Sequence, residues 1–319
     1  MTTQEVAKEM GLGWNLGNTL EACGDWINGS TVKQYETAWG NPETTEDMIK
    51  TVKSNGFNSV RIPVAWSNLM ASDYTISPLL IKRVKEVVGY VVNNGMYAIM
   101  NIHWDGGWFE KFATSQSNEA FAKYKKVWEQ LSENFKEFDE HLIFESLNEE
   151  GCWNDVWNQW SNSGDKSKAY GTLNDMNQQF INIVRKSGGN NAKRHLLLAG
   201  YCTDIDLTVD NAFVVPKDDR LMVSVHYYTP GGFCILEEDA DWSKASSTWG
   251  TDSEVNTLVN NFKKLKSRFM DNGIPVIIGE YGTPIKNKEP ESIRKFLRTT
   301  AETALSLGAV PVVWDAGQY

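Results

Sequence analysis

Two apolar runs of strand character end in glutamate. One is Phe144-Glu145-Ser146-Leu147-Asn148-Glu149-Glu150, and the other is Val276-Ile277-Ile278-Gly279-Glu280-Tyr281-Gly282. A carboxylate at the end of a buried strand is costly unless it is paired or put to use. Two of them, from distant parts of the chain, describe a site assembled from strands that meet in space. Two carboxyl groups flanking one bond are what glycoside hydrolysis requires: one protonates the leaving oxygen and the other attacks carbon or activates water. The first run offers three acids, Glu145, Glu149 and Glu150.

The elements that must position these residues alternate from end to end. Strand candidates are Leu12–Asn18, Phe57–Val64, Tyr97–Trp104, Leu142–Glu149, His195–Tyr201, Leu221–Tyr228, Ile274–Glu280 and Val310–Trp314. These are near-continuous Val/Ile/Leu runs, as expected of strands covered on both faces. Helical patterns lie between them, at about 44–55, 78–94, 118–138, 171–186, 252–272 and 290–307, with only a short one at Thr208–Phe213. Several open on a capping residue or an early proline and stop at glycine. Eight strand–helix units predict an α/β fold of the closed (β/α)8 TIM barrel type. An open doubly wound sheet is disfavoured, because no G-x-G-x-x-G follows the first strand. No linker or repeat interrupts residues 1–319, so a single barrel domain is expected. No helix is readable after strand eight, so the last helix is expected to be missing, or Thr3–Met10 to cover its gap.

Barrel chemistry sits at the C-terminal strand ends. There the strands offer Arg61, His103, Asn148 with Glu149, His226 with Tyr228, Glu280, and Trp314 with Asp315. An arginine inside an apolar strand must have a partner. Each residue alone has a bland structural explanation. Their recurrence at the same relative place in six strands argues for one site.

Composition narrows the alternatives. The chain is 41% hydrophobic and 23% charged, with net charge −10. That acidity speaks against nucleic acid and anionic membranes as partners. No apolar run approaches membrane-spanning length, and Met1-Thr2-Thr3-Gln4 has no signal-peptide character. The four cysteines, Cys23, Cys152, Cys202 and Cys234, form no C-x-x-C pair, and no spacing demands a disulfide. There is no His-x-His for a metal, no strand lysine for a Schiff base and no phosphate-cradling loop, so no metal and no cofactor are expected. Thirteen tryptophans are unusual. Half of them suit a core, and the rest suit flat plates for sugar rings.

At these residues the sequence resembles glycoside hydrolase family five, the retaining cellulase family of (β/α)8 barrels. The resemblance runs through most of the chain. It rests on Gly13-Trp14-Asn15-Leu16-Gly17-Asn18, Arg61-Ile62-Pro63-Val64, Asn101-Ile102-His103-Trp104, Leu147-Asn148-Glu149, His226-Tyr227-Tyr228, Gly279-Glu280-Tyr281-Gly282 and Val313-Trp314. It implies Glu149 as acid/base and Glu280 as nucleophile, with supporting roles for Arg61, His103, Asn148, His226, Tyr228 and Trp314. Arg61 and Tyr228 would aim Glu280, Asn148 would bind the sugar 2-hydroxyl, and Trp314 would lie beneath the reacting ring. The family usually has proline after its acid/base, where this chain has Glu150. Asn148 directly precedes Glu149 and decides for it, and Glu150 is expected to raise its neighbour's proton affinity.

The resulting expectation is a monomeric endo-β-1,4-glucanase acting on cellulose-like polysaccharide or oligosaccharide. Asn18, Trp104, Trp108, Trp153 and Trp242 are further substrate-binding candidates. Xyloglucanase, mixed-linkage glucanase and β-mannanase share the mechanism. A non-catalytic polysaccharide-binding barrel and a metal-dependent hydrolase are the readings from other classes. A polymeric substrate implies an extracellular enzyme.

Overall fold

The computed structural model describes residues 1–317. Eight parallel strands close into a barrel. They are β1 (Gly13–Asn15), β2 (Ser59–Ile62), β3 (Tyr97–Met100), β4 (Leu142–Glu145), β5 (Leu196–Ala199), β6 (Leu221–Tyr227), β7 (Val276–Tyr281) and β8 (Val310–Val313). Each pairs with its sequence neighbours, with register shifts at Val225/His226 and at Pro311/Val313 on either side of β7, and β1 closes on β8 through Gly13 with Val312 and Trp14 with Val313. The expected (β/α)8 architecture is therefore present, with every strand where the apolar runs placed it. The strands are shorter than those runs because the polar strand ends leave the ladder and turn into the top of the barrel.

The covering helices are Glu46–Ser54, Pro78–Asn93, Ser117–Asn134, Lys166–Lys186, Ile205–Val209, Asp252–Arg268 and Pro290–Leu307. Local chemistry sets their starts. Thr45 accepts from the Met48 amide, and Ser77 precedes a proline in the first turn. The helix after β5 falls at Ile205–Val209 rather than Thr208–Phe213, because Asp204 caps it by accepting from the Leu207 amide. Among the described residues no helix follows β8.

The N-terminal helix Thr3–Met10 does not cover that flank. It closes the floor of the barrel. Val6, Ala7 and Met10 pack with Tyr97, Ile99, Ile143, Leu197, Met222, Ile277, Val310 and Val312, which fill the barrel interior from six strands. Polar ties seat the helix on the strand starts. Thr3 Oγ1 lies 3.1 Å from His195 Nδ1, Gln4 Nε2 donates to Gly273 O at 2.6 Å, and Tyr97 OH donates to Glu9 at 2.7 Å. An amphipathic helix with an apolar stripe finds its burial under the barrel mouth that would otherwise admit water.

At the opposite end β1 and β8 meet closely. A Cβ on Gly17 would lie 2.5 Å from Asp315 O and 2.8 Å from the Trp314 ring. Gly17 N donates to Asp315 O at 3.1 Å, and Trp14 Nε1 donates to Asp315 Oδ2 at 2.9 Å. The first loop therefore braces Trp314 from behind.

Met10 is fully buried at the floor. Met10→Ala is expected to lower the unfolding free energy by about 2–5 kcal/mol, read as a shifted denaturant midpoint with unchanged slope. A loss under about 1 kcal/mol would show that the helix does not seal the floor.

Candidate active site

The site is built around Arg61, which projects from β2 into the barrel and is fully buried. Its guanidinium spends its donors on four acceptors. Nε donates to Glu145 Oε2 at 2.7 Å, Nη1 to Glu280 Oε1 at 2.7 Å and to Asn15 Oδ1 at 3.1 Å, and Nη2 to Asn148 Oδ1 at 2.8 Å. Burial disfavours its charge, but Glu145 and Glu280 more than offset that, so it stays a cation. Glu145 is completed on its other oxygen by Ser224 Oγ at 2.8 Å. The acid at the strand end proper is thus the arginine's structural partner.

Glu280 is 6% exposed at the end of β7. Tyr228 OH donates to its Oε2 at 2.9 Å, so each oxygen has its own donor. The Tyr228 phenol is pushed well above its ordinary pKa by burial and by the Glu280 charge, and remains a donor. Glycine at position 279 is required by crowding, since a Cβ there would lie 2.9 Å from Ser224 Oγ and 3.2 Å from His226 Nε2.

Glu149 sits four residues beyond β4, on an irregular segment, and its side chain is 48% exposed to the cleft. Strand alternation therefore does not set its direction; the turn through Ser146–Asn148 does. His226 Nδ1 lies 2.7 Å from Glu149 Oε1 and 3.6 Å from Glu280 Oε2. One oxygen of Glu149, one ring nitrogen of His226 and one oxygen of Glu280 all fall within 4.8 Å of one another. This trio offers three metal-type ligand atoms, but the Arg61 cation already holds Glu280, which opposes a second cation there. Carboxyl oxygens this close suit the roughly 5–5.5 Å separation of retaining glycosidases better than the ~6.5–9.5 Å that leaves room for an inverting water.

Both site histidines are neutral. Burial lowers His226 to about 4, opposed by Glu280 and assisted by Arg61. Burial also carries His103 well below its ordinary value, with Arg61 and His226 adding to it. A neutral His226 with its proton on Nδ1 donates to Glu149 Oε1 and leaves Oε2 to carry a transferable proton. Asn101 Nδ2 lies 3.3 Å from His103 Nδ1, which puts the His103 proton on Nε2. The His103 ring stacks on Trp314 with centroids 5.8 Å apart and planes 11° apart. Asn148 has its oxygen turned to Arg61, so its amide nitrogen is the free end.

The family model for cellulase (glycosyl hydrolase family 5) matches residues 20–319. The chain belongs to glycosyl hydrolase family 5. It is 37% identical to endoglucanase A of Paenibacillus barcinonensis, over 99% of this chain and 83% of that protein. A broad specificity endoglucanase from an uncultured bovine rumen ciliate superposes with a TM-score of 0.89 at 36% identity, covering 100% of this chain and 90% of that one. A lichenase from Caldicellulosiruptor sp. F32, solved as a mutant with cellotetraose, gives a TM-score of 0.91 at 34% identity, covering 99% and 87%.

Within this family 5 site, the eight candidates from Arg61 to Trp314 lie together at the barrel top. The loop candidates divide. Trp104 and Trp242 are 52% and 63% exposed. Trp108 and Trp153 are not open plates. Trp108 is 8% exposed, stacks on Phe109 and donates Nε1–H to Asp105 at 2.8 Å, while Trp153 is 7% exposed and packs edge-on against Tyr201. Asn18 adopts a left-handed backbone (φ 54°), and its amide donates to the buried Glu21, so the structure shows it as a turn residue. Residues missed by sequence reasoning are Asn15, Ser224 and Glu145 as partners, and a disulfide between Cys152 and Cys202. That bridge joins the loop after β4 to the loop after β5, three residues past Glu149. Trp26 and Trp160, at 64% and 79% exposed, are two further open indoles on top loops.

Glu150 is a strongly perturbed member of the adjacent acid pair. Burial first, then the Glu149 and Glu110 charges, push its carboxyl up to about 8. Glu149 is itself raised, by burial and against the pull of Arg61. Repulsion between neighbouring carboxylates is mutual, and Glu150 holds its proton at neutral pH. A carboxyl whose folded pKa stands above its unfolded value contributes stability present below the unfolded value and lost as pH rises through the folded one. Glu150→Gln is therefore expected to gain melting temperature on the wild type as pH rises from about 4.5 to about 8. A constant offset across that window would contradict the assignment.

Proposed function

We propose that the protein is a retaining endo-β-1,4-glucanase that cuts internal bonds of cellulose-like β-glucans. The observation that carries this is a pair of carboxyl groups with one oxygen of each within 4.8 Å of the other, one held by Arg61 and Tyr228 and the other by a neutral histidine. Unequal surroundings give the two acids unequal jobs.

The first step breaks the glycosidic C–O bond. Glu280 attacks the anomeric carbon, while the Glu149 Oε2 proton passes to the departing oxygen. The product is a glycosyl ester on Glu280 and an ionised Glu149, which His226 Nδ1–H stabilises. In the second step Glu149 takes a proton from water, the water oxygen attacks the anomeric carbon, and Glu280 leaves as carboxylate. Asn148 Nδ2 is free to donate to the sugar 2-hydroxyl, and His103 Nε2–H to a neighbouring hydroxyl. The stacked His103–Trp314 pair supplies an apolar floor for the ring.

A cleft open at the Glu149 side and exposed indoles on loops after β1, β3, β4 and β6 suit binding within a chain. The relatives named as a lichenase and as a broad specificity endoglucanase favour mixed-linkage β-glucan as a second substrate. A polymer of this kind is met outside the cell, where we place the enzyme.

Glu280→Gln is expected to reduce hydrolysis of barley β-glucan to background, and Glu149→Gln to reduce it by about 10²–10⁴-fold. With an aryl glycoside whose leaving group needs no proton, Glu149→Gln should lose far less in the first step. Proton NMR of the wild-type reaction should show the β-anomer first. First appearance of the α-anomer, or full activity of Glu280→Gln, would overturn the proposal. Across carboxymethylcellulose, barley β-glucan, xyloglucan and mannan, the two glucans without branches should be cut fastest, and chelator should leave every rate unchanged.

A further inference from the structure

The loop after β6, residues 228–251, forms one wall of the cleft. Tyr228 stands at its start, and Trp242 is exposed near its middle. Its own backbone bonding is local: one helical turn at Gly231–Cys234, an isolated bridge between Ala240 and Ser243, and Ser246 N donating to Gly232 O at 2.8 Å. Further ties come from the loop after β7.

Lys288 is 8% exposed, and its ammonium donates to three carbonyls of the β6 loop: Gly232 O at 3.1 Å, Leu236 O at 2.5 Å and Ser246 O at 2.7 Å. It also lies 5.4 Å over the Phe233 ring. Among the described residues it makes no ion pair, whereas Lys286, two positions earlier, pairs with Glu237 at 3.1 Å in the open. An ammonium taken out of water without a carboxylate costs several kcal/mol unless its protons are fully hydrogen-bonded. Here three protons meet three carbonyls, the arrangement a bare monovalent cation would require. Three neutral ties run alongside: Thr283 Oγ1 to Phe233 O at 2.8 Å, Asn287 Nδ2 to Glu237 O at 3.0 Å, and Glu289 N to Ser247 O at 2.8 Å.

The clasped segment has two features that face a substrate. The Trp242 ring lies on Gly231, where a Cβ would come within 2.9 Å of it, next to the carbonyl of Gly232 that Lys288 holds. A cavity of about 440 Å³ opens between Tyr228 and Trp314, walled by Cys234, Glu237, Thr283 and Ile285. Its walls come from the segment Lys288 clasps, the loop that carries Lys288, and the end of β8.

We propose that Lys288 is a positioning residue: its ammonium fills a three-carbonyl cage and so sets the cleft wall, from the Tyr228 cavity to the Trp242 plate, on which glucan units beyond the reacting sugar rest. This rests on the glucanase reading above. Lys288 touches neither Glu149, Glu280 nor Arg61, so its loss weakens binding of a long chain more than it slows the chemistry.

Lys288→Met and Lys288→Ala, measured on barley β-glucan, are expected to raise KM roughly tenfold while kcat falls less than about threefold. In Lys288→Ala, ammonium or potassium chloride should refill the cage and lower KM again, and tetramethylammonium chloride at equal ionic strength should not. If Lys288→Met is recovered only unfolded, Lys288→Ala assayed in ammonium against tetramethylammonium gives the same comparison. An unchanged KM, a kcat loss as large as the KM rise, or equal response to both salts would overturn the proposal. A wild-type enzyme inactive on every glucan would instead overturn the function reading.

Discussion

The arrangement turns on one buried guanidinium. Arg61 cannot lose its proton and cannot remain unsatisfied in a dry barrel, so its planar fork dictates where carboxylates and amides must stand. Glu145 on β4, Glu280 on β7, Asn15 on β1 and Asn148 beyond β4 all meet it, and Ser224 adds β6 through Glu145. Five of the eight strands are thereby indexed to one rigid group. Removing either acid would leave charge buried without full compensation, which is far costlier than the loss of one surface ion pair. The same fork that fixes Glu280 also fixes the direction of the Asn148 amide, so the candidate nucleophile and the sugar-facing donor are aligned by a single plane.

Neutrality is the second constraint. Burial keeps His103 and His226 uncharged, so among the described residues Arg61 remains the sole positive charge at the centre of the site. A neutral His226 can donate to Glu149 whether or not Glu149 carries its proton, which suits a residue that must alternate between acid and base. Glu150, protonated at neutral pH, keeps the outer edge from adding a third negative charge.

Much of this was legible in the amino-acid sequence, for physical reasons. The strands were visible because both faces are covered and their residues are nearly all Val, Ile and Leu. Arg61, His226 and Glu280 stood out because polar groups inside such runs need a reason. What was hidden depended on geometry that pattern cannot carry. Alternation along β4 could not assign Glu145 to Arg61, because the strand ends there and the next four residues turn. Trp108 and Trp153 occur in polar stretches that read as open loops, but those loops fold back and bury them, Trp108 onto Asp105 and Trp153 onto Tyr201. Thr3–Met10 could have covered the gap left after β8, and nothing in its sequence told that it would lie under the floor instead. The pairing of Cys152 with Cys202 likewise had no signal in spacing.

That bridge spans 50 residues of chain. In the unfolded ensemble it would tie the far part of the loop after β4, the Lys166–Lys186 helix and β5 into one closed loop, removing about 4 kcal/mol of conformational freedom in the chain-entropy description. The cleft edge that begins three residues past Glu149 therefore draws part of its order from disorder denied to the denatured chain. A cleft edge can stay open and lightly packed toward solvent when its persistence is secured by the states it is prevented from visiting.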